Sequence, residues 1–358
     1  MPALLELRQL TVELPTAEGW VRPVNQVSLA IGAGQCLGLV GESGSGKTML
    51  ALAVMGLLPA GTRTSGEAWL EGAAPALWRK TPAREAGQGC RKELLAASEP
   101  ELRAMRGREM AMIFQEPMTS LNPVMRVGAQ VEEAIRAHYP RMPKKLVEAW
   151  GSEALRLAAV PEVEERRRQF PHQLSGGLRQ RVMIAMAIAA GLADPGWEPN
   201  AREKRQPAEV LAGPRLLIAD EPTTALDVTV QKEILQLLGK LRRDLGLGLL
   251  FISHDLGVVA QVADRLAVMY AGRVVEEGPA KEVLAGPRHP YTQGLLAASP
   301  RLERGKLTPI PGSVPRLTAL PPGCAFEPRC GLRRTECSRA VPALQAVSEE
   351  HAARCVLV

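Results

Sequence analysis

Aromatic residues are scarce: Phe, Tyr and Trp together make up 3% of the 358 residues, while apolar residues make up 46%. A core built from this chain is therefore expected to be aliphatic, and large enough for two domains, one large and one small. Long apolar runs are missing as well. The longest, Val182 to Leu192, is too short to span a bilayer. Charge interrupts the apolar residues of Met1 to Arg8 at once, unlike a secretory leader. These absences predict a soluble or peripheral chain in the cytoplasm, with any membrane role exerted through other subunits. Strong charge of one sign is also absent. A net charge of +6 is mild at this size, so it gives only weak support to nucleic-acid binding.

The residues that are present alternate between strand and helix patterns. Leu4 to Leu14, Val27 to Ile31 and Gln35 to Val40 read as strands, and Met49 to Leu58 as a helix closed by Pro59-Ala60-Gly61. Met110 to Phe114 reads as another strand, followed by a charged, mostly helical region up to Phe170. Leu178 to Leu192 reads as a helix. Leu216 to Ala219 and Leu249 to Ile252 read as strands on either side of a helix from Val228 to Leu245. Ala267 to Tyr270 and Arg273 to Glu277 flank Ala271-Gly272 as a hairpin. This alternation argues for an α/β fold around a largely parallel sheet. Two polar stretches without a period, Ala73 to Pro100 and Ala193 to Gly213, read as surface insertions. After about Gly286 the chain turns rich in Pro, Arg and Cys, which suggests a separate small module.

The strongest chemical signal is Gly41-Glu42-Ser43-Gly44-Ser45-Gly46-Lys47-Thr48, set between a strand and a helix. It fits the phosphate-binding P-loop. Glycines let backbone N–H groups turn toward an anion, and the helix N-terminus adds a favourable dipole. Lys47 would hold the β- and γ-phosphates of a nucleotide, and Thr48 would ligate Mg²⁺, a reading that leaves kinases and GTPases open. The second signal is the apolar strand Leu216 to Ala219 ending in Asp220-Glu221. Asp220 fits a Mg²⁺ role through water, and Glu221 fits the general base that polarises the attacking water. A charged strand end facing solvent is the plainer reading, but it rarely comes as this pair beside a P-loop.

Leu174-Ser175-Gly176-Gly177-Leu178-Arg179-Gln180-Arg181 narrows the class. Alone, Ser-Gly-Gly is a helix cap. Here it resembles the ABC signature sequence, with Leu178 in place of the usual Gln. Phe114-Gln115-Glu116-Pro117 resembles the Q-loop, Ala225-Leu226-Asp227 the D-loop, and Ser253-His254-Asp255 the switch region, in the family's order. The resemblance implies a P-loop NTPase of the ABC type: a RecA-like core with antiparallel β and α-helical subdomains, and a small Cys-rich C-terminal module. The ATPase domain would cover residues 1–285, with its helical subdomain at about 116–174, and the module residues 286–358. Ser175, Gly176 and Gly177 would bind the γ-phosphate held by the P-loop of a second subunit. Asp227 would lie at that dimer interface. Gln115 would contact Mg²⁺ or water, and His254 would touch the γ-phosphate. Trp20, the only aromatic near the P-loop strand on its upstream side, is a candidate to stack on adenine and equally a surface residue.

His289-Pro290-Tyr291-Thr292, Pro311-Gly312-Ser313-Val314-Pro315 and Gly323-Cys324-Ala325-Phe326-Glu327-Pro328-Arg329-Cys330 resemble the C-terminal region of dipeptide/oligopeptide permease ATPases. That implies a peptide importer. Its partners would be a second, possibly different, ATPase subunit and two transmembrane permease subunits at the cytoplasmic face of the plasma membrane, served by an extracytoplasmic binding protein. Cys324, Cys330, Cys337 and Cys355 suit zinc or an iron–sulfur cluster by residue type. Their spacing lacks the tight pairs of zinc ribbons, and four unligated thiols are the bland alternative. The resemblance favours a [4Fe-4S] cluster. The competing function, a soluble ABC ATPase acting on nucleic acid or ribosomes, rests on the charge alone.

Overall fold

A computed structural model of the chain describes residues 3–72, 90–116, 120–193, 213–299 and 308–358. Most of both expected insertions, residues 73–89 and 194–212, lies outside the described residues. The strands are β1 (Ala3–Thr16), β2 (Gly19–Gly32), β3 (Cys36–Val40), β4 (Arg63–Gly72), β5 (Cys90–Glu93), β6 (Met110–Ile113), β7 (Leu216–Asp220), β8 (Gly248–Ser253), β9 (Arg265–Tyr270), β10 (Arg273–Pro279), β11 (Gln345–Ala346) and β12 (Ala352–Ala353). The helices are α1 (Lys47–Met55), α2 (Glu99–Met105), α3 (Val127–Arg136), α4 (Lys144–Leu157), α5 (Val163–Arg166), α6 (Gly176–Leu192), α7 (Val228–Leu245), α8 (Leu256–Val259), α9 (Ala280–Ala285) and α10 (Pro290–Ala297). They fall into two compact units. One joins Met1–Leu70, Arg91–Ala96 and Leu250–Val358; the other joins Glu71–Cys90 and Ala97–Leu249. The composition change near Gly286 thus falls inside the first unit.

In the first unit an antiparallel sheet runs in the order β2-β1-β4-β5. Its alternation is broken on purpose. Leu5 and Leu7 pair with Ile31 and Leu29, then the register slips and Leu10 and Val12 pair with Val27 and Val24. Gln9 sits at the slip with φ +50°. This bulge rephases the buried face by one residue, so all four leucines and valines still point inward. β4 and β5 were not evident from the sequence, since only Ala68 and Leu70 of β4 are buried. Cys90–Glu93, expected within an insertion, is therefore the edge of a sheet.

The unit's second sheet runs β11-β12-β10-β9-β3-β8. All five residues of β3 are buried, as expected for a central strand covered on both faces. It pairs in parallel with β9, Val40 opposite Val268. The C-terminal residues extend this sheet: β12 pairs antiparallel with β10, Ala353 opposite Glu276. Here the aliphatic expectation fails. Tyr270, Tyr291 and Phe326 pack against one another with ring centroids 4.6 to 5.3 Å apart. Val268, Val275, Leu295, Ile310 and Val314 surround them.

In the second unit β6 and β7 pair in parallel, Ile113 opposite Ala219. Helices α3, α4 and α6 pack on one another, burying Val127, Val131 and Ile135 of α3 and Val147, Trp150, Ala154 and Leu155 of α4. Those residues recur at the spacing of one helical face. α7 buries Ile234, Leu235, Leu237, Leu238 and Leu241, starts at the Asp227 cap and stops at Gly246 with φ +63°. Among the described residues no helix is long and apolar enough to cross a membrane.

Candidate functional site

The first unit carries the P-loop, His254, Trp20 and the four late cysteines; the second carries Gln115, Ser175–Gly177, Asp220, Glu221 and Asp227. The loop from Gly41 links β3 to α1. Gly46, the N-cap of α1, has φ +104°, and a Cβ there would stand 1.8 Å from the Pro23 carbonyl oxygen. Only glycine fits that position. The Lys47 ammonium folds back on the loop, donating to the carbonyls of Gly41 at 2.7 Å and Glu42 at 3.1 Å and to Ser45 Oγ at 3.4 Å. Those oxygens occupy the place an anion would take around a buried cation. Ser43, Gly44 and Thr48 are exposed, whereas Ser45 is buried. His254 is exposed at the end of β8.

In the second unit the two acids follow from β7. Asp220, its last residue, is 1% exposed. Glu221 is buried and has φ +48°, a left-handed conformation that a side-chain-bearing residue rarely adopts. Its Oε2 accepts hydrogen bonds from Gln115 Nε2 at 3.2 Å and Thr224 Oγ1 at 2.9 Å. The chain thus brings Gln115 and Glu221 together from residues 106 apart. Thr224 was not anticipated; a hydroxyl three residues past the acid is a weak local signal.

Ser175 caps α6, its Oγ accepting from Leu178 N at 3.3 Å. Asp227 caps α7 through Val230 N at 2.9 Å. The two helix starts lie close: a Cβ on Gly177 would meet Val230 Cγ1 at 2.6 Å. Ser175, Gly176 and Asp227 are exposed. Trp20 is 45% exposed near the β1–β2 turn, and the Arg63 guanidinium lies 4.0 Å over its ring. One face of the indole is therefore covered by a cation, which leaves a single face for stacking.

The four late cysteines are free thiols. They line one small pocket with Phe326, Leu332 and Pro342. Burial, and after it the neighbouring cysteines, pushes the thiols of Cys324, Cys330 and Cys355 upward. Yet among the described residues no three His, Cys, Asp or Glu side chains are grouped so as to hold a metal ion. The expectation of zinc or a cluster is thus left without support from the geometry, although the four sulfurs share one pocket.

A P-loop opening a helix, an acid pair ending a parallel strand, and an Ser-Gly-Gly helix start before it define an ABC-type ATPase. Comparison with known proteins agrees. The ABC transporter family profile matches residues 24–192, and the oligopeptide/dipeptide transporter C-terminal region matches residues 275–337. The oligopeptide transport ATP-binding protein OppD of Salmonella typhimurium is 44% identical over 96% of this chain and 91% of its own. OppD of Bacillus subtilis is 42% identical over 97% and 87%. Among solved structures, the ATP-binding cassette MJ0796, a post-hydrolysis dimer bound to ADP and Pi, superposes with TM-score 0.58 at 25% identity, covering 77% of this chain and 98% of its own. The chain belongs to the ATP-binding subunits of the oligopeptide/dipeptide ABC transporter family, and its activity is ATP hydrolysis.

Proposed function

We propose that this chain drives uptake of di- or oligopeptides, hydrolysing ATP at the interface with a second ATPase subunit. The observation that carries the chemistry is the Glu221 carboxylate, fixed by Gln115 and Thr224. Peptide cargo is supported by the names of full-length relatives and by the matched C-terminal region. Gly41 to Thr48 embrace the phosphates, with Lys47 leaving the loop oxygens for the β- and γ-phosphates. Ser175, Gly176 and Gly177 complete the partner's site, and Asp227 lies at the shared interface. His254 contacts the γ-phosphate. Trp20 offers its open face to adenine.

The donor set suits Mg²⁺: a Thr48 hydroxyl, the Asp220 carboxylate and the Gln115 amide oxygen are hard ligands. When bound, Mg²⁺ supplies charge neutralisation of the phosphates. Glu221 accepts the proton of the attacking water as its oxygen bonds to the γ-phosphorus and the bond to the ADP oxygen breaks, giving ADP and phosphate. Two transmembrane permease subunits, at the cytoplasmic face, convert closing and reopening of the ATPase pair into transport, with substrate delivered by an extracytoplasmic binding protein.

The cysteine pocket is the proposed seat of a [4Fe-4S] cluster, with zinc as the alternative. Four cysteine sulfurs lining one pocket are a donor set that would suit such a cluster or zinc if bound as thiolates. Iron and sulfide analysis after anaerobic purification tests this; stoichiometric zinc or no metal overturns it. For the transport reading, purification from solubilised membranes should bring down two polytopic subunits. A free pool carrying nucleic acid would instead support the non-transport ABC ATPase.

A further inference from the structure

The P-loop residue Glu42 is held at three points within the first unit. Its carbonyl accepts from Lys47 at 3.1 Å. Its backbone N–H donates to the hydroxyl of Tyr291 at 2.8 Å. Its carboxylate receives both arms of Arg329, at 2.6 and 3.0 Å. Tyr291 lies in the first turn of α10, and Arg329 stands immediately before Cys330, so both come from the C-terminal region. Their separations from Glu42 along the chain are 249 and 287 residues.

Arg329 is built for this contact. Its side chain is 4% exposed, against 31% for Glu42. Its Nε donates to the Pro311 carbonyl at 2.8 Å, and Nη1 reaches Tyr270 Oη at 3.4 Å. A guanidinium anchored at two points presents a fixed fork to a carboxylate, which is the geometry of strong, directional pairing. Tyr291 is fully buried, and burial keeps its hydroxyl protonated. Tyr291 holds the backbone N–H of Glu42 and Arg329 its carboxylate.

We infer that Arg329 and Tyr291 are positioning residues for the phosphate-binding loop, so that the cysteine-bearing C-terminal region sets the affinity for ATP. A loop with two glycines at φ +79° and +104°, Gly44 and Gly46, has many conformations open to it. Without the clamp, bound phosphate must supply the ordering, and affinity falls by that amount. The clamp settles this before the nucleotide arrives. Arg329 N bonds to Phe326 O and Cys330 N to Glu327 O, so the residue that grips the loop is part of the same tight turn as Cys330. Changes at the cysteine pocket therefore bear directly on the fork. The inference rests on the reading of Gly41–Thr48 as the ATP site.

The test is equilibrium binding of Mg-ATP to the full chain, with steady-state hydrolysis in the assembled transporter. R329Q and E42Q should each weaken binding by about tenfold, the loss of a charge-assisted pair. The double variant should be no weaker than either single one, and R329K should recover part of the affinity. For R329Q, KM should rise while kcat at saturating ATP holds. Y291F, which leaves the fold almost isosteric, should weaken binding by a smaller factor. Folded variants with wild-type affinity, or an additive double variant, would overturn the inference. K47A separates the two levels: if it leaves ATP binding unchanged, the P-loop reading itself fails.

Discussion

Gln115 donates to the Glu221 carboxylate at 3.2 Å, joining the end of β6 to the residue after β7. Because β6 and β7 are neighbours in parallel, their C-terminal ends lie at one edge, where ligands of parallel sheets bind. The pair makes Glu221 an acceptor whose direction is set before any water binds. Replacing Glu221 by Gln keeps the shape and removes the base. ATP binding should stay near wild type while kcat falls by roughly 10²- to 10⁴-fold. Survival of turnover at the wild-type rate in a single-turnover assay would show that the base lies elsewhere.

Gly46→Ala is expected to act differently. The added methyl overlaps the Pro23 carbonyl, and φ +104° is costly for alanine. A loss of at least ~1–3 kcal/mol of stability should accompany loss of nucleotide binding. Thermal unfolding with and without ATP measures both.

His289 gives a pH prediction. Burial, and secondarily the Arg354 charge, pulls it from 6.5 down to about 4. Its Nδ1 accepts from Tyr291 N at 3.1 Å, so the folded form needs the neutral ring. Between pH 6.5 and 4 the unfolded chain takes up a proton that the folded one refuses. The histidine's stabilisation is therefore full above pH 6.5 and is lost as pH falls through that window, by up to about 3 kcal/mol. His289→Asn keeps a capping acceptor without titrating. Urea unfolding across this range should show the wild type losing ground to the variant; a pH-independent difference would mean that folding does not shift the His289 titration.

Thr224→Val should leave ATP affinity unchanged and lower kcat by several-fold, since it removes a donor to Glu221 at little change in shape. If KM changes and kcat does not, the hydroxyl serves the loop and not the carboxylate.

Local chemistry made much of this legible. A buried strand, a glycine turn and a helix are adjacent in sequence, so the residues from Cys36 to Met55 declare themselves, as does α7 from its Asp227 cap to its Gly246 stop. β4 stayed hidden because its outer residues are polar and exposed, and β11 and β12 because two residues carry no period. The cysteines announced themselves by clustering, but where their sulfurs point depends on turns with no regular pattern. The hold on Glu42 was out of reach for another reason: a pair 287 residues apart leaves no local trace. Trp20 was noticed for its ring, while its Arg63 cover comes from a strand that the pattern did not reveal.

The first unit joins Met1–Leu70 to Leu250–Val358, and β3 lies between β9 and β8. Strand partners of the P-loop strand are thus among the later products of translation. While the ribosome is still making the second unit, β3 lacks both of its sheet neighbours and most of the cover for its apolar residues. Contacts of such long range form slowly and leave a nascent chain exposed to aggregation. Production of this subunit should accordingly depend on chaperones that hold the first seventy or so residues until synthesis nears its end, and nonsense mutations late in the reading frame should leave no nucleotide-competent fragment.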